Sequence, residues 1–383
     1  MNHVKITIGH LRKYLTVARH SNRSVFLLST PGLGKTSEIT AFAHSIQSTM
    51  HVMVASLLDR IDLAGIPHVC TSVMSGQDTK VTKFAPMQLM AELSQELNPL
   101  GNAAVLYFNE VNSAPESVLA TLLRLFNERA IGDLTLRDNV MLIADGNPAS
   151  SVSIGRDLPM AMRRRFLWLA MEASLPEWKH WGLTHGIDAR ILSFFEIPAF
   201  SGLFNNFDPK KRDVLTYACP ASWAQLSRTL SSITQAETES VQFSDYDRLA
   251  LFAGEVGQEA GSAFAGYMKM ADKVPCARTV LQNPSKSPLP SDMQMRALLA
   301  GSIINLLRED PSQVEQAMHI AQRFFTPGAD QAPEFGLYLA RSITAIPKLQ
   351  FLAKKTRGFS AMTKALLGDS EMLSALTVKP SNN

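Results

Sequence analysis

The loop Ser29-Thr30-Pro31-Gly32-Leu33-Gly34-Lys35-Thr36 lies between the apolar run Ser24-Val25-Phe26-Leu27-Leu28 and a stretch of helical character. A strand, a glycine-rich turn and a helix in that order make a cradle for phosphate. The glycines let backbone N–H groups converge, and the helix contributes the positive end of its dipole. Lys35 then reaches the β- and γ-phosphates, and the Thr36 hydroxyl is a ligand for Mg²⁺. Ser29 stands where G-x-x-x-x-G-K-[ST] has its first glycine, so its backbone must avoid positive φ or carry strain. Taken alone, the segment is also the spelling of an ordinary Gly/Pro turn ahead of a helix. Residues further along the chain decide between the two.

With 383 residues, 46% hydrophobic and 19% charged, the chain is long enough for two domains or for one large α/β domain with a helical addition. Its net charge of +3 is dispersed, which argues against a dedicated nucleic-acid or membrane surface. Three scattered cysteines, Cys70, Cys219 and Cys276, form neither a disulfide framework nor a zinc motif. They fit a reducing cytoplasm. No continuous apolar segment has the length of a membrane span or a signal-peptide core, so a soluble, intracellular protein is expected. The histidines show no H-x-x-x-H or H-E-x-x-H spacing, and there is no G-x-S-x-G elbow.

Short apolar runs at Val25 to Leu28, His51 to Ser56, Ala103 to Phe108, Val140 to Ala144 and Leu167 to Met171 alternate with helical patterns. That alternation predicts an α/β fold, a doubly wound parallel sheet with crossover helices. After Ala173 the pattern turns helical, in segments such as Asp188 to Phe195, Ser222 to Thr234, Tyr246 to Met270, Met293 to Leu307 and Pro311 to Phe325. The expected organisation is a nucleotide-binding core over 1–173, a helical lid over 174–240 and a helical extension over 241–383. Gln282 to Ser291 reads as a loop between helices, and the terminal TVKPSNN as a frayed end.

The run Ala104 to Phe108 ends in Asn109-Glu110, where a phosphate-binding sheet carries its metal and water chemistry. Taken alone the pair reads as an ordinary polar strand end; at this spacing from the glycine loop, Glu110 can polarise an attacking water. Asn109 stands where an aspartate is usual and keeps an oxygen donor for Mg²⁺ without the charge, which lowers metal affinity. Ser113 to Glu116 spells a capping box, with Val118, Leu119, Leu122, Leu123 and Phe126 as the buried stripe of the helix it starts. The run Val140 to Ala144 leads into Asp145-Gly146-Asn147-Pro148 and delivers the Asn147 amide to the same edge. Asn-Pro is equally a turn signal. Arg156 and then Arg163-Arg164-Arg165 precede the last apolar run, either as a solvated face or as guanidinium groups for a neighbouring subunit's γ-phosphate.

In order and spacing, STPGLGKT, VLYFNE, IADGNP and LPMAMRRRF resemble Walker A, Walker B, sensor 1 and the arginine finger of AAA+ ATPases. The resemblance is to the MoxR-type branch, with its dynein-related AAA domains, in the versions found in phages and bacterial operons. Leu58 to Pro67 is similar to the lead into that branch's helix-2 insertion, and Asn127 to Gly132 to its hairpin before sensor 1. Gly186 to Arg190 and Ala218 to Trp223 are similar to its lid. The resemblance implies ATP and Mg²⁺ as ligands, with Ser29, Pro31, Gly32, Gly34, Lys35, Thr36 and Asn109 on the nucleotide and Thr36 and Asn109 on the metal. It implies Glu110, Asn147 and Arg165 as catalytic residues. A closed ring, of six by expectation, follows from the finger, which serves only a partner's nucleotide. Remodelling of a protein client, such as a von Willebrand factor A-domain protein, is the implied function. Ala221 takes the place of the sensor 2 arginine, so sensor 2 is expected to be missing unless Arg228, further along the helix, substitutes. With Ser29 and Asn109, that departure opens a second reading: a nucleotide-dependent scaffold with little or no hydrolysis.

Overall fold

The computed structural model describes residues 4–148, 158–211, 214–326, 328 and 330–356. Arg156 and the terminal TVKPSNN lie outside the described residues. The chain forms two compact units, Met1–Ser174 with Asp208–Arg212, and Leu175–Phe207 with Asp213–Asn383.

The first unit is built on a six-stranded parallel sheet. Its elements in chain order are β1 (Lys5–Ile6), α1 (Ile8–His20), β2 (Ser24–Leu28), α2 (Lys35–Ser45), β3 (Thr49–Val54) and α3 (Arg60–Ala64). Then come β4 (Ile66–Met74), β5 (Gln77–Ala85), α4 (Gln88–Leu93), β6 (Ala104–Asn109) and α5 (Glu116–Glu128). The unit closes with β7 (Ala130–Ile131), β8 (Leu134–Thr135), β9 (Val140–Gly146), α6 (Met160–Arg163) and β10 (Phe166–Met171). The sheet order is β1-β10-β2-β9-β6-β3. Both faces are covered, so the central strands read as unbroken apolar runs. Val25, Leu27, Val105, Tyr107 and Ile143 pack with α1 and α2 on one face. Phe26, Leu106, Phe108, Leu142 and Ala144 pack with α5 on the other.

The five expected strands are present within a residue or two, and three features differ from expectation. β4 and β5 form a nine-pair antiparallel hairpin from Ile66↔Ala85 to Met74↔Gln77. Neither of its faces is buried, so it lacks the apolar alternation that marks a strand. Its signal is the turn Ser75-Gly76, where both residues have positive φ, 51° and 80°. The capping box does not form: α5 begins after Pro115 with no side-chain cap, and Ser113 ends a 3₁₀ turn instead. Leu125 joins the buried stripe while Leu123 is only half-buried.

The second unit is helical among its described residues: α7 (Leu175–Thr184), α8 (Ala189–Phe194), α9 (Pro220–Thr238), α10 (Asp245–Val256) and α11 (Gln258–Met268). α12 (Ala277–Gln282), α13 (Met293–Glu309), α14 (Val314–Phe325), α15 (Pro333–Ala345) and α16 (Pro347–Ala353) complete it. Aromatic rings fill its core, with Phe194 against Trp223, Phe264 and Tyr267. Asp188 caps α8 and ties it to α13, since its Oδ1 accepts from the Arg190 backbone at 2.8 Å and from Asn305 Nδ2 at 2.8 Å. Burial pushes this carboxyl's pKa up, but the Arg190 guanidinium and the Asn305 amide outweigh it, so the group sits below its ordinary range.

The stretch Tyr246 to Met270, one segment by periodicity, is two helices broken at Gly257, which has φ 84° and ψ 159°. A side chain there would meet the Thr216 carbonyl oxygen at 2.9 Å as well as backbone strain. Gly257→Ala is therefore expected to destabilise the chain by about 1–3 kcal/mol. Gly254→Ala, in open space within α10, should stabilise it by about 0.5–1 kcal/mol. Chemical denaturation of the two variants checks the difference; equal midpoints would contradict the account of the break.

Candidate functional site

The C-terminal ends of β2, β6 and β9 open onto a cavity of about 230 Å³ lined by Pro31 to Ser37, Asn109, Glu110, Asp145 and Asn147. This is the edge of a parallel sheet where ligands bind, at the start of a helix. Gly32 and Gly34 have φ 79° and 87°, the left-handed backbone that glycine adopts freely. Gly34 is the N-cap of α2, so the free N–H groups of that helix start at the cavity. Leu33 between the glycines is 5% exposed and packs in the core with Ile39 and Leu11, which pins the loop.

Lys35 is held from two sides. Its Nζ donates to Ser29 Oγ at 2.8 Å and pairs with Asp145 Oδ2 at 3.1 Å. Ser29 is 2% exposed, lies behind the cavity wall, and is not among the positive-φ residues. Its hydroxyl hydrogen goes to the Thr30 carbonyl at 2.8 Å, which leaves a lone pair for Lys35. A serine is thus accommodated at the position of the usual glycine without left-handed backbone, and it gains a contact with the lysine.

Glu110 follows β6 with φ 57° and ψ 42°, a left-handed conformation unusual for a non-glycine residue. Its backbone N–H donates to Asp145 Oδ1 at 2.7 Å, and its carbonyl accepts from the Ser113 N–H at 2.9 Å. That geometry ends the strand abruptly and leaves the Glu110 side chain exposed on the cavity wall. Strain of this kind gathers at functional sites.

Asn147 is 8% exposed, and its Oδ1 has no hydrogen-bond partner among the described residues. Its backbone is clamped by Asn112, whose Oδ1 accepts the Asn147 N–H at 3.3 Å and whose Nδ2 donates to the Asn147 carbonyl at 2.6 Å. Gly146 makes that clamp possible, since a Cβ there would lie 2.6 Å from Asn112 Oδ1 and 2.9 Å from Phe26 Cζ. The Tyr107 hydroxyl, buried beneath the cavity, also makes no hydrogen bond among the described residues. Burial first, then the charge of Asp145, drives its pKa far above the usual phenol range, so it stays protonated.

The structure thus brings Pro31, Gly32, Gly34, Lys35, Thr36, Asn109, Glu110 and Asn147 to one cavity. Two residues of the site carry no signal of that role in the sequence. Asp145 is spelled like part of a turn, yet it is 2% exposed and pairs with Lys35, and Asn112 has no motif. Arg165 lies elsewhere. β10 and β2 run parallel from Phe166↔Ser24 to Ala170↔Leu28, so Arg165, exposed just ahead of Phe166, is a strand's length, roughly 15 Å, from the cavity edge. Arg163 is engaged with the fold, donating from Nε to the Leu158 carbonyl at 2.7 Å. In the second unit Ala221 and Arg228 are both exposed on α9, with Arg228 donating to Gln225 Oε1 at 3.0 Å.

The chemistry of the lining suits a nucleotide carrying Mg²⁺. Helix N–H groups and an ammonium face the phosphate side, and the Thr36 hydroxyl, Asn109 amide and Asp145 carboxylate are the hard oxygen donors that Mg²⁺ takes.

Residues 24–166 match the AAA domain family, dynein-related subfamily. Among solved structures the chain is similar to a mutant of RuvB from Thermotoga maritima, with 16% identity and a TM-score of 0.36 over 79% of this chain and 83% of that one. A second RuvB mutant from the same organism is 15% identical, with a TM-score of 0.32 over 90% of this chain and 87% of that one. No curated protein matches the chain in sequence. The fold is an AAA+ P-loop fold, a parallel sheet flanked by helices, with a substantial helical C-terminal part. Among the described residues, no helix is long and apolar enough to cross a membrane.

Lys35 and Asp145 are 11% and 3% exposed in their side chains, so removing one partner strands the other. Lys35→Ala is expected to lower stability by about 3 kcal/mol, the low end for breaking a buried pair because the cavity admits water. Adding Asp145→Ala should cost far less than a second independent loss. A double-mutant cycle by urea denaturation checks this, and a coupling below about 0.5 kcal/mol would contradict it.

Proposed function

We propose that this chain is a MoxR-type AAA+ ATPase that binds ATP with Mg²⁺ in the cavity between β2, β6 and β9, hydrolyses it, and works as a ring on a protein client. The observation that carries this reading is the convergence in one cavity of a helix N-terminus, the Lys35 ammonium, the Glu110 carboxylate and the Asn147 amide oxygen, which has no partner among the described residues. A polyanion with a water beside its terminal phosphate would use all four. Phosphate takes the helix N–H groups and Lys35, and Glu110 and Asn147 line the same cavity.

In this reading Lys35 leaves Ser29 and Asp145 for the β- and γ-phosphate oxygens. Thr36 and Asn109 hold Mg²⁺, which supplies charge neutralisation for the phosphates when bound. The Asn147 amide orients a water, and Glu110 takes its proton as the water oxygen attacks the γ-phosphorus. The bond from phosphorus to the bridging oxygen breaks and its electron pair leaves with ADP. The Glu110 proton then passes to solvent. Arg165 stands at the far edge of the sheet, which supports a role on a neighbour's nucleotide. A head-to-tail interface that closes, with six subunits expected, follows from such a role. The helical segment 174–240 is proposed as the lid and 241–383 as an extension. The client is a protein, with a von Willebrand factor A-domain protein as the family's example, and the location is cytoplasmic. Neither nucleic acid nor membrane is proposed as a partner.

A nucleotide-dependent scaffold with little hydrolysis is the second reading. It is favoured by the uncharged Asn109 at the metal position and by Ala221 on α9. Phosphate release separates the two. The ATPase reading expects steady turnover that Lys35→Ala abolishes, and a fall of about 10³-fold or more in Arg165→Ala with ATP binding kept. It also expects the particle to grow on addition of ATP and Mg²⁺, seen by light scattering after size separation. Growth without phosphate release would favour the scaffold, and unchanged size with no turnover would exclude both.

A further inference from the structure

Asn109 leaves the β6 end without the carboxylate that a metal-bearing triphosphate calls for, yet a carboxylate is present one strand over. β6 and β9 are paired in parallel up to Phe108↔Ala144. Asn109 and Asp145 therefore come next on adjacent strands, which lie about 4.8 Å apart, and residues in register point to the same face. That face is the one carrying Tyr107 and Leu27, against α1 and α2. Both residues line the cavity. Asp145 is 2% exposed, 3.1 Å from Lys35 Nζ, and fixed through its other oxygen by the Glu110 N–H.

Resting on the ATPase reading above, we propose that Asp145 supplies from β9 the carboxylate that position 109 lacks. Without nucleotide it neutralises Lys35; with nucleotide it faces the shell of the Mg²⁺ that arrives with ATP. A carboxylate 3.1 Å from the lysine that receives phosphate either repels the triphosphate or is neutralised by the cation travelling with it. As Lys35 turns from Asp145 to the phosphates, Asp145 loses its counter-charge, and the incoming cation replaces it. Asn109 and Asp145 then act as one divided site, an amide on β6 and a carboxylate on β9. The Asn109 amide makes the arrangement workable, since two carboxylates side by side would repel each other as well as the phosphates.

The test is the affinity of full-length protein for ATP by calorimetry, with Mg²⁺ and with the metal removed by EDTA. The ratio of the two affinities is the Mg²⁺ advantage. In Asp145→Asn, whose amide oxygen still accepts the Glu110 N–H, the advantage should fall about 10–100-fold. The affinity in EDTA should hold or rise. Adding Asn109→Asp to that variant should restore the advantage by returning the carboxylate to β6. Asn109→Asp alone, with Asp145 in place, should raise it less than about threefold and weaken binding in EDTA, because the charge is already supplied. That third variant leaves the Lys35–Asp145 pair intact, so it decides the matter even if Asp145→Asn fails to fold. A full Mg²⁺ advantage in Asp145→Asn, no recovery in the double variant, or a tenfold gain from Asn109→Asp alone would each overturn the proposal while ATP binding stands. Failure of the unaltered chain to bind ATP under either condition would overturn the ATPase reading, and this proposal with it.

Discussion

The Asp145 carboxylate is the point on which the site turns. One oxygen holds the Lys35 ammonium at 3.1 Å and the other the Glu110 N–H at 2.7 Å. Three segments far apart in sequence, the glycine loop, the end of β6 and the end of β9, are thereby fixed to one another. A buried ion pair contributes little net stability, because desolvating the two charges offsets most of their attraction. Its effect is geometric: it sets where the lysine waits and holds Glu110 in a left-handed conformation that open chain would avoid. Ser29 completes the arrangement by giving Lys35 a second acceptor on the protein side.

The parallel sheet explains why such a node can exist. Parallel strands deliver all their C-terminal ends to one edge, so β2, β9 and β6, neighbours in the sheet, each contribute a loop to the same cavity. The same rule sends the residue ahead of β10 to the opposite edge, where Arg165 is exposed. A cation so placed cannot reach the cavity of its own chain, which is why the proposed ring and the proposed finger stand or fall together. Close packing sets the remaining tolerances. The Asn112 clamp on Asn147 leaves no space for a side chain at Gly146.

Much of this was legible in the sequence, for reasons that differ by element. The central strands announced themselves because burial on both faces demands continuous apolar runs, as in Val140 to Ala144. The loop announced itself because only glycine passes easily through the backbone of positions 32 and 34. The β4–β5 hairpin was silent: exposed on both faces, it imposes no apolar pattern, and only Ser75-Gly76 betrayed it. The break at Gly257 was hidden because residues on either side keep a helical period, while the constraint comes from Thr216 far away in the chain. Asp145 was hidden for a related reason. Its partner Lys35 is remote in sequence, and beside Gly146-Asn147-Pro148 it looked like a turn residue. Strand register, which no local pattern reveals, sets it next to Asn109.

A crystal structure with Mg²⁺ and a non-hydrolysable ATP analogue would show whether Lys35 and Asp145 part on nucleotide binding. Triphosphate is expected in the cavity between β2, β6 and β9, with Lys35 Nζ moved from Asp145 to the phosphate oxygens. Asp145 would face the metal's ligand shell and the Asn147 amide the terminal phosphate. An analogue bound elsewhere, or a cavity left empty at saturating concentration with Lys35 still on Asp145, would contradict that arrangement.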